Sequence, residues 1–168
     1  PQIYNYTTIW TDYLRGGETQ LANTNKLLRS YNGITGLKTG TTSGAGVCIC
    51  ATAKRNDLSL IAVVLGSDSS RERFSAAKKL LDFGFSNFES KMFPSIEDYP
   101  QNIAVRHGVQ KTVPLEYNLP KKLLFLKGAS SKLESRITLP QYIDAPLEKG
   151  TRIGSVDLYS SGEKIKEY

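Results

Sequence analysis

Two apolar runs dominate what this chain can fold into. Gly46–Ala53 reads Gly-Val-Cys-Ile-Cys-Ala-Thr-Ala, and Leu58–Gly66 reads Leu-Ser-Leu-Ile-Ala-Val-Val-Leu-Gly. Only Lys54-Arg55-Asn56-Asp57 separates them. Short runs of nearly continuous apolar character suit buried strands, and Asn-Asp is turn chemistry, so the pair predicts an antiparallel hairpin. A third extended segment begins at Leu37 and runs to Thr42. It joins the hairpin as an outer strand, with free backbone N–H and C=O groups along one side to which a peptide can add.

That outer segment carries unusual chemistry. It lies within Gly33-Ile34-Thr35-Gly36-Leu37-Lys38-Thr39-Gly40-Thr41-Thr42. Lys38 is a point cation with three donors, and Thr39 sets a hydroxyl beside it. Gly40 leaves bare backbone next to both, where a ligand can come close. Together they form a receptor suited to a small carboxylate. Gly36-Leu37-Lys38-Thr39 falls short of a phosphate loop, because the spaced upstream glycine and the adjacent Gly-Lys pair are absent. Nucleotide binding is therefore discounted, and no cofactor is expected.

Around this centre the other elements follow from local pattern. Residues 1–6 read as the end of an earlier element. Thr7–Leu14 is β-branched and aromatic and predicts a strand, Arg15–Glu18 a turn, and Thr19–Asn23 a short strand back. Asn25–Arg29 suits one helical turn. Ser69 or Ser70 can cap a helix from Arg71 to Phe83 that stops at Gly84. Phe74, Ala77 and Leu81 share one face of it and should pack on the sheet.

Beyond the helix the pattern changes. Residues 89–102 read as a linker between a first domain, 1–88, and a second, 103–168. Short strand-like pieces recur at Ile103–Arg106, Lys111–Leu115, Leu123–Lys127, Ser135–Leu139 and Thr151–Leu158, separated by Gly and Pro. They predict a small all-β domain. The fold class is thus α+β: an antiparallel sheet with a packed helix, then a small sandwich-like β domain.

Totals exclude several classes. The net charge is +6. Ten Lys/Arg against six Asp/Glu in residues 1–88 place +4 there, and twelve against ten leave +2 in residues 89–168. A mild positive field suits an anionic substrate or polymer. Nucleic acid is not expected, since no dense Lys/Arg run interleaves with aromatics. No apolar run approaches the roughly 18 residues of a membrane span, so membrane association would need a segment outside this chain. The cysteines, Cys48 and Cys50, would face the same side of a strand and read as small buried thiols. The one histidine, His107, lies in a turn of the β domain.

Lys38-Thr39-Gly40 is also one of the signatures of the penicillin-binding and β-lactamase serine acyl enzymes. Its flanks sharpen the match. Asn23-Thr24-Asn25-Lys26-Leu27-Leu28, Gly33–Gly40, Ala45–Arg55, Leu60–Gly66, Arg73-Phe74, Lys78–Phe85, Asp144–Gly150 and Gly154 resemble the low-molecular-mass penicillin-binding proteins, the serine D-alanyl-D-alanine carboxypeptidases. The resemblance implies a partial β-lactamase/transpeptidase-like domain in residues 1–88. It implies removal of the terminal D-Ala from peptidoglycan stem peptides through an acyl-enzyme, β-lactam binding, and a site outside the cytoplasm reached by a signal peptide not in this chain.

Residue by residue, Lys38 corresponds to the family's strand lysine, which raises the local positive potential. Thr39 corresponds to the donor to the substrate carboxylate, and the Thr41 N–H to one arm of the oxyanion hole. Arg73 resembles a helix arginine that reinforces carboxylate binding, with Arg71 close by as a competitor. The nucleophile is the departure. Ser75–Lys78 and Ser161–Lys164 match Ser-x-x-Lys but follow Lys38, whereas the family's nucleophile precedes it. Ser30-Tyr31-Asn32 matches the family's Ser-x-Asn but stands too close to Lys38. The chain is therefore expected to be the C-terminal part of such an enzyme, inactive alone. Its expected partner is the N-terminal part of the same enzyme or a second copy, covering an apolar patch on the sheet face under the helix. The contrasting reading is a non-catalytic structural or interaction module of the cell envelope.

Overall fold

The computed structural model describes residues 2–129 and 132–168; Pro1, first residue of the opening segment, lies outside them. The chain divides into two compact units, Pro1–Glu89 and Ser90–Tyr168.

The first unit opens with α1 (Tyr4–Thr7), then β1 (Thr11–Leu14) and β2 (Thr19–Ala22), which pair antiparallel. The strand expected over Thr7–Leu14 is shorter because its start is tied elsewhere. Thr7 Oγ1 donates to the Thr35 carbonyl at 2.7 Å, which holds Thr7 on the sheet strand instead of in the hairpin. A 3-10 turn, Lys26–Arg29, follows at the expected place, and the Asn25 side chain caps it by accepting from the Leu27 N–H.

β3 (Ile34–Thr42), β4 (Gly46–Arg55) and β5 (Leu58–Ser67) form an antiparallel sheet in the order β3-β4-β5. The Lys-Thr-Gly strand is thus an edge among the described residues. Side chains alternate between faces, so the register sorts them. Thr39, Ile49 and Val64 lie in one cross-strand row, and Leu37, Ala51 and Ala62 in another, both on one face. Lys38, Cys50 and Val63 form a row on the opposite face, as do Thr52 and Ile61.

α2 (Ser70–Asn87) seals the first face. Ser69 caps it, accepting from the Glu72 N–H. Phe74, Ala77, Leu81 and Phe85 pack with Ile49, Ala51, Ala53, Ala62 and Leu27 in one core. Small alanines on the strands let the helix approach closely. The expected stop at Gly84 does not occur, and the helix runs on to Asn87. A Cβ at Gly84 would lie 2.5 Å from Leu60 Cδ1, so the glycine serves close helix–sheet packing rather than termination. The patch expected under α2 is also corrected, because that face is filled. The open apolar side chains, Ile61 at 70%, Val63 at 56% and Leu65 at 73% exposure, lie on the other face. Both cysteines are free and half-buried, not buried as expected, since their row belongs to this open side.

The remaining strands are β6 (Phe88–Met92), β7 (Asn102–Arg106), β8 (Thr112–Pro114), β9 (Lys122–Leu126), β10 (Leu133–Thr138), β11 (Tyr142–Asp144), β12 (Ser155–Ser160) and β13 (Glu163–Glu167). They form three small sheets, β10-β12-β13, β11-β7-β8 and β6-β9. Ile103, Ile143, Val156 and Leu158 are their buried apolar residues. β6 occupies the start of the stretch read from sequence as linker. β13 gave no sequence signal because every residue of Glu163–Glu167 is exposed. Arg106 holds Asp144 through two 2.9 Å hydrogen bonds, which keep that carboxyl below the usual carboxylate range.

Candidate active site

β3 pairs with β4 and, on its α2-facing side, meets Thr24 from the Asn23-Thr24-Asn25 segment and Arg73 from α2. The Asn23 side chain donates to the Ile9 carbonyl at 3.0 Å and accepts from the Asn25 N–H at 2.9 Å. Asn25 is 1% exposed. Thr24 is thereby set beside β3, with its Oγ1 2.5 Å from that of Thr39. Thr39 itself is buried, and Lys38, one residue earlier, is exposed on the opposite face with its ammonium donating to the Thr39 carbonyl.

Gly40 follows. A Cβ built there would meet nothing within 4 Å, and its φ is not in the left-handed region. Nothing among the described residues requires glycine at that position, whereas a ligand pressed against the strand backbone would.

Arg73 approaches from α2. Its Nη1 donates to the Gly40 and Cys48 carbonyls, each at 3.2 Å, and stands 3.4 Å from Thr41 Oγ1; Nη2 donates to Ser70 Oγ at 3.2 Å. The guanidinium also lies over the Phe74 ring and is 7% exposed. Its Nε–H is buried without a partner among the described residues. Arg71, by contrast, is exposed. A full positive charge is thus held under the β3–β4 pair, behind Gly40 and Thr41, at a strand edge that an extended peptide can join.

The other candidates are exposed or have structural roles. Ser75 is on the exposed face of α2. Ser161 belongs to the second unit and sits in a turn with φ 52°. In the Ser30-Tyr31-Asn32 match, Ser30 Oγ donates to the Lys26 carbonyl, and Tyr31 donates to Asp82 at 2.7 Å. Burial, and next the Asp82 bond, push the Tyr31 phenol up to about 12. His107 is exposed in a turn with φ 59°. No cluster of metal-ligating side chains occurs among the described residues. Thr24 lies in a flank that resembles the family, and nothing in its type or spacing points to a bond to Thr39.

Comparison with known proteins decides the family. The profile of "D-alanyl-D-alanine carboxypeptidase" matches residues 1–69, and that of "Penicillin-binding protein 5, C-terminal domain" matches residues 88–168. The chain belongs to the low-molecular-mass penicillin-binding proteins. Among relatives of this family, D-alanyl-D-alanine carboxypeptidase DacF of Bacillus subtilis is 34% identical over 98% of this chain and 43% of its own length. DacC of Escherichia coli is 36% identical over 86% of this chain and 37% of its own length. The crystal structure of penicillin binding protein 5 from Haemophilus influenzae superposes with a TM-score of 0.73, at 30% identity, over 98% of this chain and 48% of that one. The chain therefore spans about two fifths of the length of these curated relatives.

Proposed function

We propose that this chain supplies the substrate-binding wall of a serine D-alanyl-D-alanine carboxypeptidase. Such an enzyme removes the terminal D-Ala of peptidoglycan stem peptides through an acyl-enzyme, binds β-lactams in the same place, and works outside the cytoplasm. The observation that carries the reading is the edge strand itself. Lys38, Thr39, a glycine that nothing among the described residues requires at 40, and Arg73 behind Gly40 and Thr41 lie together on the edge strand β3.

In this reading the stem peptide adds to β3 as an extra strand. Thr39 donates to its terminal carboxylate, and the buried Arg73 charge favours that anion from behind the strand. The Thr41 N–H stabilises the oxyanion that forms when the scissile carbonyl is attacked. Lys38 raises the positive potential on the open face and eases proton transfer to the leaving amine.

The nucleophile is assigned to a Ser-x-x-Lys outside these 168 residues, since Ser75 lies on the exposed face of α2 and both Ser-x-x-Lys matches follow Lys38 in the chain, whereas the family's nucleophile precedes it. The uncovered row Ile61, Val63 and Leu65 lies on the same face as Lys38, so a piece of protein seated there would stand next to Lys38. We assign that seat to the nucleophile-bearing part of the enzyme. Among the described residues no helix is long and apolar enough to cross a membrane.

The test is labelling of the intact protein with fluorescent penicillin, followed by peptide mapping of the adduct. An acyl-serine outside residues 1–168, lost in Lys38→Ala, is the expected result. An adduct on Ser75 or Ser161 would overturn the assignment. Absence of any adduct would favour a non-catalytic envelope module.

A further inference from the structure

The hydroxyl pair Thr24–Thr39 is the side-chain to side-chain bond that ties the candidate wall to the segment before it, with 2.5 Å between the two Oγ1 atoms. Two hydroxyls bring two O–H protons, and the bond between them uses one. If Thr24 donates, the Thr39 O–H is released to donate elsewhere. If Thr39 donates, it is spent on Thr24. An anion arriving at Thr39 selects the first arrangement. A hydroxyl that accepts one hydrogen bond also donates more strongly in a second, because the bonds polarise one another. Thr24 thus converts Thr39 from a rotor into a directed donor.

The segment around Thr24 is tied on both sides. Asn23 is tied to the Ile9 carbonyl and to the Asn25 N–H. Asn25 caps the 3-10 turn whose Leu27 is 0% exposed in the core. Thr24 lies between these anchors, so its hydroxyl position is set by the core.

We infer that Thr24 is a positioning residue of the substrate wall, holding Thr39 Oγ1 so that its O–H meets the terminal carboxylate of a D-Ala-D-Ala peptide or the carboxylate of a β-lactam. This rests on the reading of Thr39 as the carboxylate donor.

The experiment measures kcat/KM of the intact enzyme on a D-Ala-D-Ala peptide and on the same peptide with its C-terminal carboxylate converted to an amide. The variants are Thr24→Val, Thr24→Ser, Thr39→Val and the double valine variant, with thermal unfolding as the folding control. Thr24→Val should lower kcat/KM for the carboxylate peptide by roughly three- to tenfold, the size of one lost hydrogen bond, and leave the amide peptide unchanged. Thr24→Ser should restore the value to within about twofold, because it keeps the hydroxyl. The double variant should add little to Thr39→Val. Equal loss on both peptides, or full additivity in the double variant, would reduce Thr24 to a structural residue and overturn the inference. If Thr39→Val itself leaves the preference for the carboxylate peptide intact, the reading of Thr39 fails first and the inference about Thr24 falls with it.

Discussion

The two faces of the β3-β4-β5 sheet are built from the same strands and differ in what they require. On the α2 side, Ile49, Ala51, Ala53 and Ala62 meet Phe74, Ala77, Leu81 and Phe85, and none of these exceeds 9% exposure. On the other side, Ile61, Val63 and Leu65 stand more than half exposed in the same register that places Lys38. The sealed face is complete with this chain's own residues. The open face carries the lysine and an apolar row that a surface strand has no reason to keep. The sealed face holds this chain's core, and the open face is the seat proposed above for the nucleophile-bearing part.

The comparison breaks most visibly at Leu81, which is 1% exposed. Leu81→Ala should cost the isolated chain about 3 kcal/mol in urea unfolding, the sum of lost burial and a residual cavity. An effect below about 1 kcal/mol would mean that α2 does not hold this sheet. Arg73→Lys comes next, at about 2 kcal/mol. A lysine cannot serve the Gly40 and Cys48 carbonyls and Ser70 at once, and leaves buried acceptors unpaired. The same variant should weaken β-lactam acylation of the intact protein, which stopped-flow labelling would follow.

Ser69→Ala removes the cap on α2 and should cost about 1 kcal/mol. A smaller effect is expected from Val63→Thr on the open face. It should change the isolated chain by less than about 0.5 kcal/mol, as surface positions do. In the intact protein it should cost clearly more if, as proposed, the nucleophile-bearing part covers that face. Equal effects in both would remove the distinction between the faces.

A last test concerns Tyr31, which joins the sealed side to α2 through Asp82. Its phenol is pushed up from 10.0 to about 12 by burial first and the Asp82 bond second. The fold therefore favours the neutral phenol. The stabilisation is fully present below pH 10 and is lost as pH rises toward 12. Denaturant titrations at pH 8 and pH 11 should show the loss, and Tyr31→Phe should abolish the pH dependence of this step.

Much of this was legible in the residues. The runs Gly46–Ala53 and Leu58–Gly66 are continuous enough to name buried strands, and Phe74, Ala77 and Leu81 recur at helical spacing. Lys38-Thr39-Gly40 stood out because its chemistry is concentrated in consecutive residues. The helix end was misread, since a glycine looks the same to sequence whether it terminates a helix or admits Leu60 against it. β13 escaped for the opposite reason: Glu163–Glu167 carries no apolar face to betray it.

What the sequence by itself determined, then, is the three-stranded sheet with its packed helix and the strip proposed above to bind. Both follow from short-range pattern, which backbone geometry reads over a few residues. Only the tertiary structure decided which side of the sheet stays open, that Arg73 and not Arg71 is drawn beneath Gly40, and that Thr24 meets Thr39. Those outcomes depend on register and on packing between segments distant in the chain. A shift of one residue would have exchanged every side chain between the two faces.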